Sequence, residues 1–373
     1  MTMNTKTLID NLAREELVDM VPYQSARRLF SSADSDTDAK VWLNANEAPG
    51  SGEYHIKSSN INRYPDFQPD NLLTGYSNYS GLNKTQLLAT RGADEGIELV
   101  IKTFCKAYQD SILICSPTYG MYSISAQAQG VNVIDVPMIS NMLDIDGIKA
   151  VAEQVKVVFL CSPGNPTGNL LPESQILGTL AIFQEKAIVV VDEAYIEFSP
   201  QNSMQKLLNQ YDNLVVLRTL SKAFGLAGLR CGFTLSNPAI ITMMSKVIAP
   251  YPIAAPVAEI ASQSLNASGI AAMQQDVATL NQLKQDFSQW LSEQDWCKRV
   301  FPSDANFVLF ECDDKDGLFD LLKAQNILIR DQSKQVQLRN CLRISIGNEY
   351  ELSLVKNTIT QALANTSAKS LKV

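Results

Sequence analysis

Leu214-Val215-Val216-Leu217-Arg218-Thr219-Leu220-Ser221-Lys222-Ala223-Phe224-Gly225-Leu226-Ala227-Gly228-Leu229-Arg230 is the stretch on which the fold turns. It opens as an unbroken apolar run, the pattern of a strand buried on both faces of a parallel sheet. The run stops, and two hydroxyls, a lysine and an arginine follow at once. Polar groups gathered just past a strand end mark the ligand edge of an open α/β sheet.

Working outward, the same alternation recurs. Short Val/Ile/Leu runs at Ser111–Cys115, Val131–Val136, Val155–Cys161, Ala187–Val191 and Gly232–Leu235 read as further strands. Helical segments such as Gly96–Ala107 and Ser174–Glu185 lie between them. The expected fold class is α/β, a mostly parallel central sheet flanked by helices. A mainly helical stretch from Pro256 to Trp296 follows. Beyond it come a strand at Phe307–Phe310, a helix near Lys315–Gln325 and a strand at Cys341–Ile346, which read as a smaller α+β domain. The spacing of Leu8, Ile9, Leu12, Leu17 and Val18 predicts a helix over the first 20 residues. Ser31–Lys40 and Gly50–Asn60 read as irregular connections. The expected division is 1–55 packing with the small domain, 56–260 as the large domain and 261–373 as the small one.

Composition narrows the function. The chain has 373 residues, 46% hydrophobic and 19% charged, with a formal net charge of −8. No global basic field draws it to nucleic acid or anionic lipid. Its seven cysteines, Cys105, Cys115, Cys161, Cys231, Cys297, Cys312 and Cys341, are scattered without a C-x-x-C pair, against a disulfide framework or a zinc site. The single histidine, His55, sits in a Gly/Ser-rich stretch and makes a Ser-His-Asp triad or a His-based metal site a poor fit. No apolar run approaches the roughly 20 residues of a membrane span. Met1–Asp10 lacks the features of a signal peptide. The expected location is the cytoplasm.

Five constellations carry chemistry. Lys222 can form an imine with an aldehyde cofactor once its amine is partly deprotonated by burial or a neighbouring cation. Ser221 and Arg230 beside it suit a phosphate. In Val189-Val190-Val191-Asp192-Glu193-Ala194-Tyr195, Asp192 ends a buried strand, where a carboxylate needs a partner. A protonated pyridine nitrogen is one such partner, and capping a helix is the other role open to it. Tyr195 lies within reach of the same ring. Ser162-Pro163-Gly164-Asn165-Pro166-Thr167-Gly168 is a rigid turn that fixes Asn165 as an amide donor, or an ordinary loop. Arg91-Gly92-Ala93-Asp94-Glu95-Gly96 opens a helix whose free N–H groups can take a phosphate, with Asp94 alternatively a cap. Pro117-Thr118-Tyr119-Gly120-Met121-Tyr122 offers Tyr119 as a stacking aromatic or a core tyrosine. Arg330 and Arg343 interrupt apolar runs in the small domain. A buried arginine needs an anion, either a substrate carboxylate or phosphate or a structural Asp or Glu.

The order of these constellations resembles the fold-type I pyridoxal-phosphate enzymes. In finer detail the chain is similar to the histidinol-phosphate aminotransferase family. The likeness rests on Pro22-Tyr23-Gln24-Ser25-Ala26-Arg27-Arg28, Leu43-Asn44-Ala45-Asn46-Glu47, Asn62-Arg63-Tyr64-Pro65, Arg91–Glu95, Asp192–Phe198, Arg218–Phe233 and Ile248-Ala249-Pro250-Tyr251-Pro252. It implies pyridoxal 5'-phosphate held as an internal Schiff base on Lys222, which also moves the proton. Asp192 would pair with the ring nitrogen, Asn165 and Tyr195 would contact the ring oxygen, and Tyr119 would stack. Ala93, Asp94, Thr219, Ser221 and Arg230 would hold the phosphate, with Glu95 also in the cofactor set. Tyr23, Asn46, Tyr119, Asn165, Arg330 and Arg343 would meet substrate. Tyr64, touching cofactor and substrate, and Tyr251 would reach the partner subunit's site, implying a homodimer. Gly164 departs from the pattern, since relatives often carry Asn there. The implied reaction converts histidinol phosphate and 2-oxoglutarate to imidazole-acetol phosphate and glutamate, a step of histidine biosynthesis. An aromatic-amino-acid aminotransferase and a phosphoamino-acid decarboxylase share the cofactor residues. A transcription regulator built on this fold needs a basic DNA-binding domain before the core, which the stretch before Leu43 is too short and too acidic to supply.

Overall fold

The computed structural model describes residues 11–23, 40–50, 52–56 and 61–370. Leu8 and Ile9 of the expected N-terminal helix, Gln24–Arg28, most of Ser31–Lys40 and the end of Gly50–Asn60 lie outside these residues. Of that helix, the described part is helical at residues 11–12 and again over Glu15–Val18.

The first strand, β1 (Val41–Trp42), is followed by β2 (Leu87–Thr90), β3 (Ser111–Ile114), β4 (Asn132–Asp135), β5 (Val155–Cys161), β6 (Ile188–Asp192), β7 (Leu214–Thr219) and β8 (Gly232–Ser236). The last seven form one sheet in the order β2-β8-β7-β6-β5-β3-β4. Its β7-β6-β5-β3-β4 portion is parallel, and β8 runs against both its neighbours. Side chains alternate between two cores. Val158, Leu160, Val189, Val191 and Val216 face one, which takes Tyr76 and Leu180 from helices Asp70–Ser80 and Glu173–Ile182. Val157, Phe159, Val190, Val215 and Leu217 face the other, which takes Ile97 and Val100 from helix Gly92–Phe104 and Tyr122 from helix Met121–Ala128. Burial on both faces is why these runs carry no polar alternation.

The remaining strands are β9 (Cys297–Val300), β10 (Phe307–Cys312), β11 (Ile327–Leu328), β12 (Arg330–Asp331) and β13 (Cys341–Ser345). An antiparallel sheet of order β12-β13-β10-β9 packs against helices Ala267–Ser292 and Lys315–Ala324, and helix Glu349–Ser370 packs on the latter. β1 pairs in parallel with β11, so chain before the large sheet is stitched to chain after it. The long helical stretch divides at Leu265 and Asn266 into Ala255–Ser264 and Ala267–Ser292, the second capped by Asn266 accepting from the Gly269 N–H.

Two expectations shift. The helix expected from Gly96 begins at Gly92, with Arg91 as its cap residue, so Asp94 and Glu95 lie in its first turn and neither caps it. Gly92 permits this with a φ of 77°, in the left-handed region that favours glycine. Strand β2 and helix Asp70–Ser80 arise where no strong periodicity marks them.

Candidate active site

The carboxyl ends of β5, β6 and β7 open into a cavity of about 470 Å³. Each strand brings one of the constellations. Past β7, Thr219 Oγ1 accepts from the Ser221 N–H at 3.1 Å and bonds its hydroxyl at 2.9 Å, which folds the chain so that Lys222 enters the cavity. Lys222 Nζ donates to the Ala45 carbonyl at 2.8 Å and stands 5.6 Å from the Tyr195 ring centre. Burial is the main cause, with the Arg343 charge second, that brings its ammonium down to about 8. At neutral pH a usable fraction of that amine is therefore free base.

Asp192 ends β6, one strand away. Its Oδ2 accepts from Tyr122 Oη at 2.7 Å and its Oδ1 from the Ala194 N–H at 3.1 Å. Burial pushes the carboxyl up to about 6 against both donors. A cation facing this carboxylate from the cavity would offset that cost. Tyr195 Oη receives Asn46 Nδ2 at 3.0 Å and Asn165 Nδ2 at 3.3 Å, so one hydroxyl gathers residues from three distant segments. Asn46 holds a φ of 55° and is pinned by Ser345 Oγ, which accepts the Asn46 N–H at 2.8 Å.

An anion cradle lies beside Lys222. Arg230 Nη1 donates to Ser221 Oγ at 3.2 Å, and its Nη2 meets Asp94 Oδ2 at 3.1 Å. A Cβ on Gly92 would come within 2.6 Å of Arg230 Nη2, and one on Gly232 within 2.8 Å of the Ala93 nitrogen. Only glycines let the helix start approach the guanidinium so closely. The N–H groups of the first turn of Gly92–Phe104 thus face the same space as Arg230 and Ser221, the donor set of a phosphate site. Tyr119 Oη donates to Asp94 Oδ1 at 3.0 Å, and its ring lies edge-on to Tyr23 at 6.2 Å.

The small domain closes the cavity with arginines. Arg343 Nη2 donates to the Asn44 carbonyl at 3.0 Å and its Nη1 to Asn165 Oδ1, while its buried Nε has no hydrogen-bond partner among the described residues. Arg330 lines the same wall.

Most of the residues picked from the sequence therefore converge here: Tyr23, Asn46, Ala93, Asp94, Tyr119, Asn165, Asp192, Tyr195, Thr219, Ser221, Lys222, Arg230, Arg330 and Arg343. Glu95 does not line this cavity. Its carboxylate turns away to Arg91, accepting the Arg91 N–H at 2.6 Å and Nε at 2.8 Å, because the helix places its side chain on the flank of the turn. Tyr64 and Tyr251 do not line this cavity. They stack on each other at 4.4 Å with both rings exposed. Sequence reasoning passed over Tyr122, one helical turn past Tyr119, and over Glu47, Gln332 and Gln335 of the cavity wall. The spacing of Tyr119 and Tyr122 was the available signal for the first.

The family model described as aminotransferase class I and II matches residues 29–357. A histidinol-phosphate aminotransferase of Colwellia psychrerythraea is 59% identical over 94% of this chain and 99% of its own length. Histidinol-phosphate aminotransferase 1 of Haemophilus influenzae is 47% identical over 95% of each. In fold, the histidinol-phosphate aminotransferase of Sinorhizobium meliloti, solved in complex with pyridoxal-5'-phosphate, superposes with a TM-score of 0.79 at 20% identity, covering 94% of this chain and 97% of that one. The chain belongs to the class I and II aminotransferases, alongside its histidinol-phosphate aminotransferase relatives.

Proposed function

We propose that the chain moves an amino group between histidinol phosphate and 2-oxoglutarate, giving imidazole-acetol phosphate and glutamate, with pyridoxal 5'-phosphate on Lys222. The observation that carries this is Lys222 and Asp192 opening into one cavity from adjacent strands, beside a phosphate cradle. The relatives' shared activity supports the choice of substrate.

The cofactor supplies an aldehyde that condenses with amines and a ring that takes up the electron pair left when carbon loses a proton. The protein's residues do the rest. Ser221, Arg230 and the N–H groups of Ala93 and Asp94 would hold the phosphate, with Thr219 shaping the turn. Asp192, kept in place by Tyr122, would hold a proton on the ring nitrogen. Asn165 and Tyr195 would donate to the ring oxygen, and Tyr119 would cover the ring. Lys222 Nζ, as free base, would take the proton from the carbon bearing the substrate amine and pass it to the carbon on the other side of that nitrogen. Arg343, with an unused buried Nε, would take a carboxylate. Arg330, Tyr23 and Asn46 would complete the substrate wall.

The reading includes a cytoplasmic homodimer. The exposed Tyr64–Tyr251 stack supports it as a surface suited to a partner's cavity, and the seven free cysteines suit a reducing compartment. It also assigns 56–260 to cofactor binding and 1–55 with 261–373 to the closing wall. The test is a spectrum and a comparison of donors. Purified protein should show a visible band that borohydride abolishes, and should transfer from histidinol phosphate far faster than from phenylalanine. Absence of the band, or preference for phenylalanine, would defeat the proposal.

A further inference from the structure

One buried ionic cluster lies outside the cavity and has no part in the chemistry above. Arg218 precedes the Lys222 turn on β7. Its Nη1 meets Glu193 Oε2 at 2.9 Å and its Nη2 meets Glu197 Oε1 at 3.3 Å. All three side chains are almost fully buried. Glu193 is held further by Ser203 Oγ at 2.7 Å and by the Met204 N–H, and its own N–H donates to the Leu217 carbonyl at 2.9 Å.

Burying three ionised groups is expensive, and apolar residues of equal volume often fold as well or better. Stability is thus a weak reason for such a cluster to exist. Its placement suggests another. Glu193 directly follows Asp192, and Glu197 lies just beyond Tyr195. The two carboxylates bracket Tyr195, the first of them directly after Asp192 at the end of β6, and a single guanidinium on the neighbouring strand holds both. That segment is only turn and one short 3-10 helix, Ile196–Phe198, so regular structure does not fix it.

We infer that Arg218, Glu193 and Glu197 form a positioning clamp that holds Tyr195 and Asp192 in register with Lys222 across the β6–β7 boundary. Arg218 suits this because its planar fork can engage two carboxylates at fixed angles. The inference rests on the cofactor assignment above.

The test compares Arg218→Met with the neutralised triple variant Arg218→Met/Glu193→Gln/Glu197→Gln. The single variant leaves two unpaired buried carboxylates and is expected to lose stability. The triple variant contains no unpaired charge and is expected to unfold near the wild-type temperature. In the triple variant, kcat should fall by about tenfold to a hundredfold, as for a reacting group displaced by about an ångström, while KM changes little. The pH midpoint of the visible absorbance should move upward, because a hydroxyl withdrawn from the ring oxygen leaves that oxygen a stronger hold on the neighbouring proton. A triple variant that folds with the wild-type midpoint and kcat overturns the clamp. A triple variant that does not fold also overturns it, since the cluster is then required for folding itself. Wild-type protein with no borohydride-sensitive band would instead overturn the cofactor assignment, so the two failures are distinct.

Discussion

Asp192 and Lys222 reach the cavity floor from neighbouring strands, whose register sets Asp192 opposite Leu217. Asn46 and Arg343 reach the wall from segments that meet only in the finished fold, Asn46 bonding Ser345 at a separation of 299 residues and Arg343 bonding Asn165 at 178. The floor is local, repetitive and set by the sheet. The wall is assembled by long-range contacts between the two ends of the chain. On the proposed assignment, the floor would hold the groups that move protons and the wall the groups that select anions. Reaction type and substrate choice would then be carried by separate parts of the chain.

Substitutions can break that separation. The largest effect is expected from Lys222→Ala, which removes the base: single-turnover transfer should fall by about 10⁴-fold, followed as the half-reaction with each substrate. Asp192→Asn should cost about 10² to 10³-fold in kcat, the scale of losing one preorganised electrostatic contact, with KM little changed. Arg343→Met belongs to the wall. It should lower kcat/KM for 2-oxoglutarate by about 30-fold, roughly 2 kcal/mol for an anion losing its buried cation, and leave cofactor affinity unchanged in an equilibrium titration. A weakened hold on cofactor there would show that wall and floor are not separable.

The pH dependence sharpens the same contrast. Lys222 is depressed to about 8, so its neutral form gains with rising pH up to that point. Reloading of cofactor-free protein with pyridoxal phosphate should accelerate by about tenfold per pH unit below that point and level off above it, rather than climb toward the ordinary lysine value near 10.4. The smallest effect is expected from Glu95→Gln. Its carboxylate serves Arg91 and the helix start, so unfolding should shift by about 1 kcal/mol or less, with cofactor affinity unchanged in an equilibrium titration.

The floor was largely legible in the sequence, and the wall only in part. Strands such as Val155–Cys161 and Leu214–Thr219 announce themselves because burial on both faces leaves mainly apolar runs without polar alternation. Helix Asp70–Ser80, DNLLTGYSNYS, buries only Leu72 and Tyr76, too narrow a stripe to stand out. Sequence adjacency placed Glu95 in the phosphate turn, but the helix directs its side chain away from the cavity. Tyr122 escaped notice because its role requires Asp192 to approach from another strand, 70 residues on. Arg330 and Arg343 could be read as anion-seeking, whereas the pairing of Arg343 with Asn165 needed the tertiary structure.

The pairing of β1 with β11 has a consequence for biosynthesis. A nascent chain emerging from the ribosome can acquire the lysine, the aspartate and the phosphate turn while its last hundred or so residues are still untranslated. It cannot place Asn46, because Ser345 and the strand at Ile327–Leu328 do not yet exist. Loops closed over so long a contour form late. Newly made polypeptide should therefore pass through a stage able to capture cofactor but unable to discriminate among amines, and selectivity should arrive only with the strand Cys341–Ser345.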